Sequence, residues 1–171
     1  MKNKFTQIII YGAKGWLGRS AIEALEKDLN FNSSDLLCVG RKTEKLPNSK
    51  HLIFSKEDAF EKIKPGALFF NSAYLRREKI YDLGINKYKE ELNEIGKFPR
   101  ELIRSQRVSY LINLSSGAVK SSETPSDLYS INKRKDLEEL KNLSNNAGIN
   151  FLNCNIYSLT GKFLNEFNNL A

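Results

Sequence analysis

Apolar positions along the chain alternate between two templates. Phe5 to Tyr11 is a continuous β-rich run that ends at a glycine, and it reads as a buried strand. From Trp16 to Leu29 the apolar residues Leu17, Ala21, Ala24, Leu25 and Leu29 fall at helical spacing and predict an amphipathic helix. Asp35 to Gly40 reads as a second buried strand and His51 to Phe54 as a short third, followed by a helix over Lys56–Ile63. Pro65-Gly66 breaks the chain before a fourth strand at Ala67–Asn71. Residues 79–105 read as largely helical with an interruption at Pro99. A fifth strand at Val108–Leu114, a long helix at Leu128–Ala147 closed by Gly148, and a sixth strand at Asn150–Ile156 complete the pattern. Strands that are apolar on both faces and alternate with helices predict a doubly wound α/β fold, a parallel sheet covered by helices on both sides.

Composition narrows the class further. At 171 residues, 40% hydrophobic and 27% charged, the chain fits one compact domain with a real core. No apolar run approaches the ~20 residues that span a bilayer, and Ile8–Tyr11 is too short for a signal peptide, so a cytoplasmic protein without membrane contact is expected. Cys38, Cys154 and the single histidine, His51, have no metal-site spacing, and both thiols read as small buried hydrophobes. The net charge of +7 comes from basic residues that are mostly lysine and are scattered along the chain. That distribution fits a solvated basic surface or an acidic small-molecule ligand better than nucleic acid, whose binding would fall steeply with salt.

Candidate chemistry begins where the first strand ends. Gly12-Ala13-Lys14-Gly15-Trp16-Leu17-Gly18 is a GxxGxxG turn between a predicted strand and a predicted helix. Such a turn needs glycine to bend tightly, to let backbone N–H groups approach a pyrophosphate, and to pack helix on strand. The helix N-terminus then offers unsatisfied donors and partial positive charge to phosphates. Binders of NAD usually place a carboxylate at the end of the second strand, whereas here that strand runs into Gly40-Arg41-Lys42. Lys14 and Arg41 therefore favour the 2′-phosphate of NADP, with NAD as second choice.

A second constellation lies further on. Tyr129 and Lys133 form a YxxxK, a spacing that means little alone in a chain rich in lysine. Its place matters more: it opens the helix after the fifth strand, which runs into Ser115-Ser116, and residues four apart share a helical face. A tyrosine with a pKa of about 10 is a poor base near neutrality, and a neighbouring ammonium lowers that value. The pair can then exchange a proton with a substrate oxygen while hydride moves to or from a nicotinamide.

These motifs resemble the short-chain dehydrogenases/reductases. The GxxGxxG spacing, Asn71-Ser72-Ala73, Asn93-Glu94-Ile95-Gly96 and Asn155–Gly161 are similar to the extended branch, the NAD-dependent epimerase/dehydratase family acting mostly on nucleotide sugars. The resemblance covers about residues 5–161. It implies a Rossmann-type domain over residues 1–161 that binds NADP or NAD at Gly12, Lys14, Gly15, Trp16, Leu17, Gly18, Arg41 and Ala73. It implies Ser116 as catalytic serine, with Ser115 as fallback, Tyr129 as acid/base, and Lys133 as its partner and a contact of the nicotinamide ribose. Asn93 would match the family's structural asparagine. The implied activity is hydride transfer on a nucleotide sugar or related alcohol or carbonyl compound, and a homodimer fits the same family. Asn155 stands where the family usually has arginine, and residues 162–171 read as a short tail, at most a short helix, where the substrate lobe would begin. That shortness keeps a non-catalytic NADP-binding regulatory or redox-sensing module as the rival reading. The run Arg76-Arg77-Glu78-Lys79 fits a solvated surface or a clamp on a substrate phosphate.

Overall fold

In the computed structural model, residues 5–27, 32–116 and 127–156 are described. Chain order is β1 (Ile8–Tyr11), α1 (Trp16–Glu26), β2 (Leu36–Val39), β3 (Glu44–Lys45), β4 (Leu52–Phe54), α2 (Lys56–Phe60), β5 (Ala67–Asn71), α3 (Lys79–Leu83), α4 (Ile85–Arg104), β6 (Val108–Ser116), α5 (Leu128–Asn146) and β7 (Asn150–Ile156). One seven-stranded sheet runs β3-β4-β2-β1-β5-β6-β7, parallel except for β3, which pairs antiparallel with β4. This is a Rossmann-like α/β sheet. Its order reverses between β1 and β5, a switch point that opens a crevice at the carboxyl ends of the strands.

Side-chain alternation sorts the core onto two faces. Ile9, Leu37, Phe69 and Leu111 face one way and are buried with Phe98, Leu102, Ile103 and Leu140 from α4 and α5. Ile10, Cys38 and Ile53 face the other way and pack with Ile22 of α1. Both cysteines are free, and burial pushes the Cys38 thiol up to about 12, as expected for an inert apolar filler. No described helix is long and apolar enough to cross a membrane.

Several elements depart from the pattern reading; the helix expected to reach Ile63 ends at Phe60. The first strand starts at Ile8 rather than Phe5, whose ring instead stacks edge-on against Tyr110 with centroids 5.0 Å apart. The two-residue β3 is too short to carry a period of its own. Pro99 does not interrupt α4, which continues from Ile85 to Arg104. Proline removes the N–H that would bond the carbonyl four residues back. Here that carbonyl, Ile95 O, accepts instead from the buried Tyr11 hydroxyl at 3.0 Å.

Candidate functional site

The glycine turn is built by contacts that exclude side chains. Gly12 has φ +85°, and a Cβ on it would lie 2.8 Å from Ala73 N. A Cβ on Gly18 would collide with Gly12 O and lie 2.8 Å from Ala13 Cα, so α1 can sit this close to the end of β1 only with glycine there. Gly12 N and Ala13 N both donate to Val39 O, at 3.0 and 3.3 Å, which ties the turn to the end of β2. Gly15 is the N-cap of α1, with no side-chain cap and no acidic residue in the first turn. The helix therefore presents its first N–H donors without a capping side chain, the arrangement a phosphate fits. Trp16 is half-buried, and its Nε1 has no hydrogen-bond partner among the described residues. Leu17 is half-buried beside it. Ala73 follows β5 at the same sheet edge and closes against Gly12.

The charged corner beside this turn holds carboxylates that the end of β2 did not show. Lys14 Nζ lies 3.0 Å from Glu44 Oε1 and Lys42 Nζ 3.7 Å from Glu44 Oε2. Arg41 Nη2 lies 3.3 Å from Glu91 Oε2 on α4. Glu44 arrives on β3, the strand that sequence patterning missed, and its hydrogen bond to Lys14 holds its carboxyl below the usual range. Four cations thus face two carboxylates at this corner: Lys14 and Lys42 face Glu44, and Arg41 and, at 3.9 Å, Lys87 face Glu91.

The second cluster forms at the carboxyl end of β6. Tyr129 sits in the first turn of α5, whose N-cap Asp127 accepts from Ser130 N at 3.0 Å and from Ser130 Oγ at 2.9 Å. The Ser116 side chain lies near enough to the Tyr129 phenol to favour its ionised form. Burial holds the Tyr129 phenol above its ordinary value, while the neighbouring Ser116 and the Arg77 charge pull it back. The neighbouring Ser115 hydroxyl is buried without a partner among the described residues. Tyr74 stacks edge-on against Tyr129, centroids 5.7 Å apart, and Arg77 Cζ lies 5.3 Å from the Tyr129 ring centroid.

Lys133 is placed differently from its expected partnership. It is buried, with Nζ 3.6 Å from the Tyr74 ring centroid and donating to Leu114 O at 3.2 Å. Burial pulls its ammonium down to about 8, against the opposing pull of Asp136. Asp136 is itself raised by burial and bridged by Arg100, whose Nη2 lies 3.6 Å away. These groups line a cavity of about 30 Å³ with Asn71 and Asn113, room on the order of one or two waters.

Sequence reading also missed an asparagine ladder. Asn71, Asn113 and Asn153 are register partners on β5, β6 and β7. Asn71 Nδ2 donates to Asn113 Oδ1 and Asn113 Nδ2 to Asn153 Oδ1, both at 2.9 Å, and Asn153 Nδ2 donates to Asn155 Oδ1 at 2.8 Å. Asn71 Oδ1 is buried and unpartnered among the described residues. The available signal was an asparagine near the carboxyl end of three successive long strands. Asn93, by contrast, is exposed, lining a groove between α4 and α5 with Ile131. Residues 157–161 of the motif after β7, and the tail 162–171, lie outside the described residues.

No protein-family model and no curated protein sequence matches the chain. Solved structures do. UDP-glucuronic acid 4-epimerase from Bacillus cereus, solved with NAD, superposes with a TM-score of 0.63 at 14% identity, over 91% of this chain and 57% of its own. A short-chain dehydrogenase from Burkholderia cenocepacia, solved with NADP, gives 0.67 at 16%, over 93% and 75%. A monomeric L-threonine 3-dehydrogenase from a metagenome gives 0.68 at 15%, over 88% and 53%. The chain has the fold of the extended short-chain dehydrogenases. It spans little more than half the length of the epimerase and of the threonine dehydrogenase.

Proposed function

We propose that the chain binds a nicotinamide dinucleotide along the crevice from β2 to β6 and uses it for hydride transfer on a nucleotide sugar or related alcohol or carbonyl compound. The observation that carries this reading is the uncapped, glycine-lined helix N-terminus after β1, at the same sheet edge as Ser116 at the end of β6 and Tyr129 at the start of α5. Gly12, Gly15, Trp16, Leu17, Gly18 and Ala73 would hold the dinucleotide, with Lys14 and Arg41 toward the ribose. The excess of cations over carboxylates at that corner favours NADP, with NAD second. When bound, the nicotinamide supplies or accepts the hydride. Tyr129 Oη exchanges the accompanying proton with the substrate oxygen, and the Ser116 hydroxyl orients that oxygen by a hydrogen bond. Lys133 holds the floor of the site through Leu114 O and the Tyr74 ring.

The test follows absorbance at 340 nm with NADP and NAD across a panel of nucleotide sugars. Tyr129→Phe should abolish turnover and leave dinucleotide affinity within about twofold; equal loss of both rejects Tyr129 as acid/base. The buried engagement of Lys133 favours one alternative, a non-catalytic NADP-binding module that senses redox state or regulates a partner. That alternative predicts dinucleotide binding with no change at 340 nm for any substrate.

A further inference from the structure

We propose that Arg77 is the positioning residue whose positive charge stabilises the Tyr129 phenolate, the role that spacing along the helix assigned to Lys133. The inference rests on the reading of Tyr129 as the acid/base. The Arg77 guanidinium carbon lies 5.3 Å from the Tyr129 ring centroid. Its Nη2 lies 3.3 Å from Asp127 Oδ2, and Asp127 is the cap that starts the helix carrying Tyr129. One ion pair therefore ties the loop after β5 to the first turn of α5 and sets the cation over the ring. Lys133 is engaged elsewhere, its Nζ donating to Leu114 O at 3.2 Å and lying 3.6 Å from the Tyr74 ring centroid.

The groups that act on the phenol pull in opposite directions. Arg77 and Ser116 favour the anion, Glu78 and Asp127 oppose it, and Tyr74 and Tyr88 pack nearby as neutral phenols. Burial pulls Lys133 down to about 8, so it loses its charge in the range where a phenolate forms. Arg77 keeps its charge there, since a guanidinium does not deprotonate in proteins.

The experiment is a pH titration of the full chain carrying [ζ-13C]tyrosine, read by NMR without substrate or cofactor. Tyr129 is assigned by the resonance lost in Tyr129→Phe. Arg77→Gln should raise its midpoint by about one pH unit, Arg77→Lys should restore most of that change, and Lys133→Met should leave the midpoint in place. An unmoved midpoint in Arg77→Gln, or a larger rise in Lys133→Met, overturns the proposal. So does a wild-type Tyr129 that stays un-ionised up to the alkaline unfolding limit, because it denies the phenolate. If dinucleotide turnover fails while the midpoint moves as stated, the hydride-transfer reading falls and the Arg77 assignment stands.

Discussion

Replacing Tyr11 by phenylalanine isolates the contact that lets α4 run through Pro99. The ring would keep its packing on Phe98, with centroids 5.0 Å apart, and only the hydroxyl would go. Ile95 O would then lose the donor 3.0 Å away and, with proline at 99, would have no helical N–H to replace it. A carbonyl left unsatisfied in a largely buried site costs about 1–3 kcal/mol. For a chain of this size that is roughly 4–8 °C in Tm for a mid-range loss. The decisive assay is a double-mutant cycle by urea unfolding. In a Pro99→Ala background the backbone N–H restored at that position can take Ile95 O, so Tyr11→Phe should cost less than half as much there. Equal costs in the two backgrounds would refute the link between hydroxyl and proline. Burial also raises the Tyr11 phenol, so folding is favoured while the phenol stays neutral, and that contribution is lost as pH climbs above about 10. Tyr11→Phe should accordingly flatten the alkaline fall in stability.

Three further outcomes follow from single contacts. Gly18→Ala drives a Cβ into Gly12 O, so it should cost about 1–3 kcal/mol by urea unfolding and weaken dinucleotide binding measured by calorimetry. Lys133 is lowered to about 8 from an unfolded value near 10.5, so the unfolded chain binds the extra proton between those values and stability gains as pH rises through that window; Lys133→Met should abolish this gain in unfolding free energy measured from pH 7 to 10. Glu44→Gln removes the carboxylate paired with Lys14 and Lys42 and should strengthen NADPH binding several-fold relative to NADH, an effect that fades with added salt.

The long, strongly patterned elements were legible because each has one period and one buried stripe. β5, β6, α5 and β7 lie within two residues of their expected ends. The glycine turn was legible because backbone closeness leaves glycine as the only fit at Gly12 and Gly18. What escaped depends on residues far apart in sequence. Glu44 and Glu91 reach Lys14 and Arg41 only once β3 and α4 fold beside the turn. Pro99 reads as a helix break locally, and only Tyr11, on another element, supplies the missing donor. Lys133 and Tyr129 share a helical face as expected, yet Tyr74 and Leu114 O take the ammonium, and Arg77 takes the place over the ring. Asn71, Asn113 and Asn153 stand far apart in sequence, and only strand register aligns them into a ladder.

The central claim is that the turn from Gly12 to Gly18 holds a nicotinamide dinucleotide. Trp16, the only tryptophan, opens the helix at that turn, so its fluorescence reports directly on the site. Titration with NADPH and then NADH should quench it saturably, with the tighter response to NADPH. Unchanged emission with both dinucleotides, together with no heat of binding by calorimetry, would contradict the account.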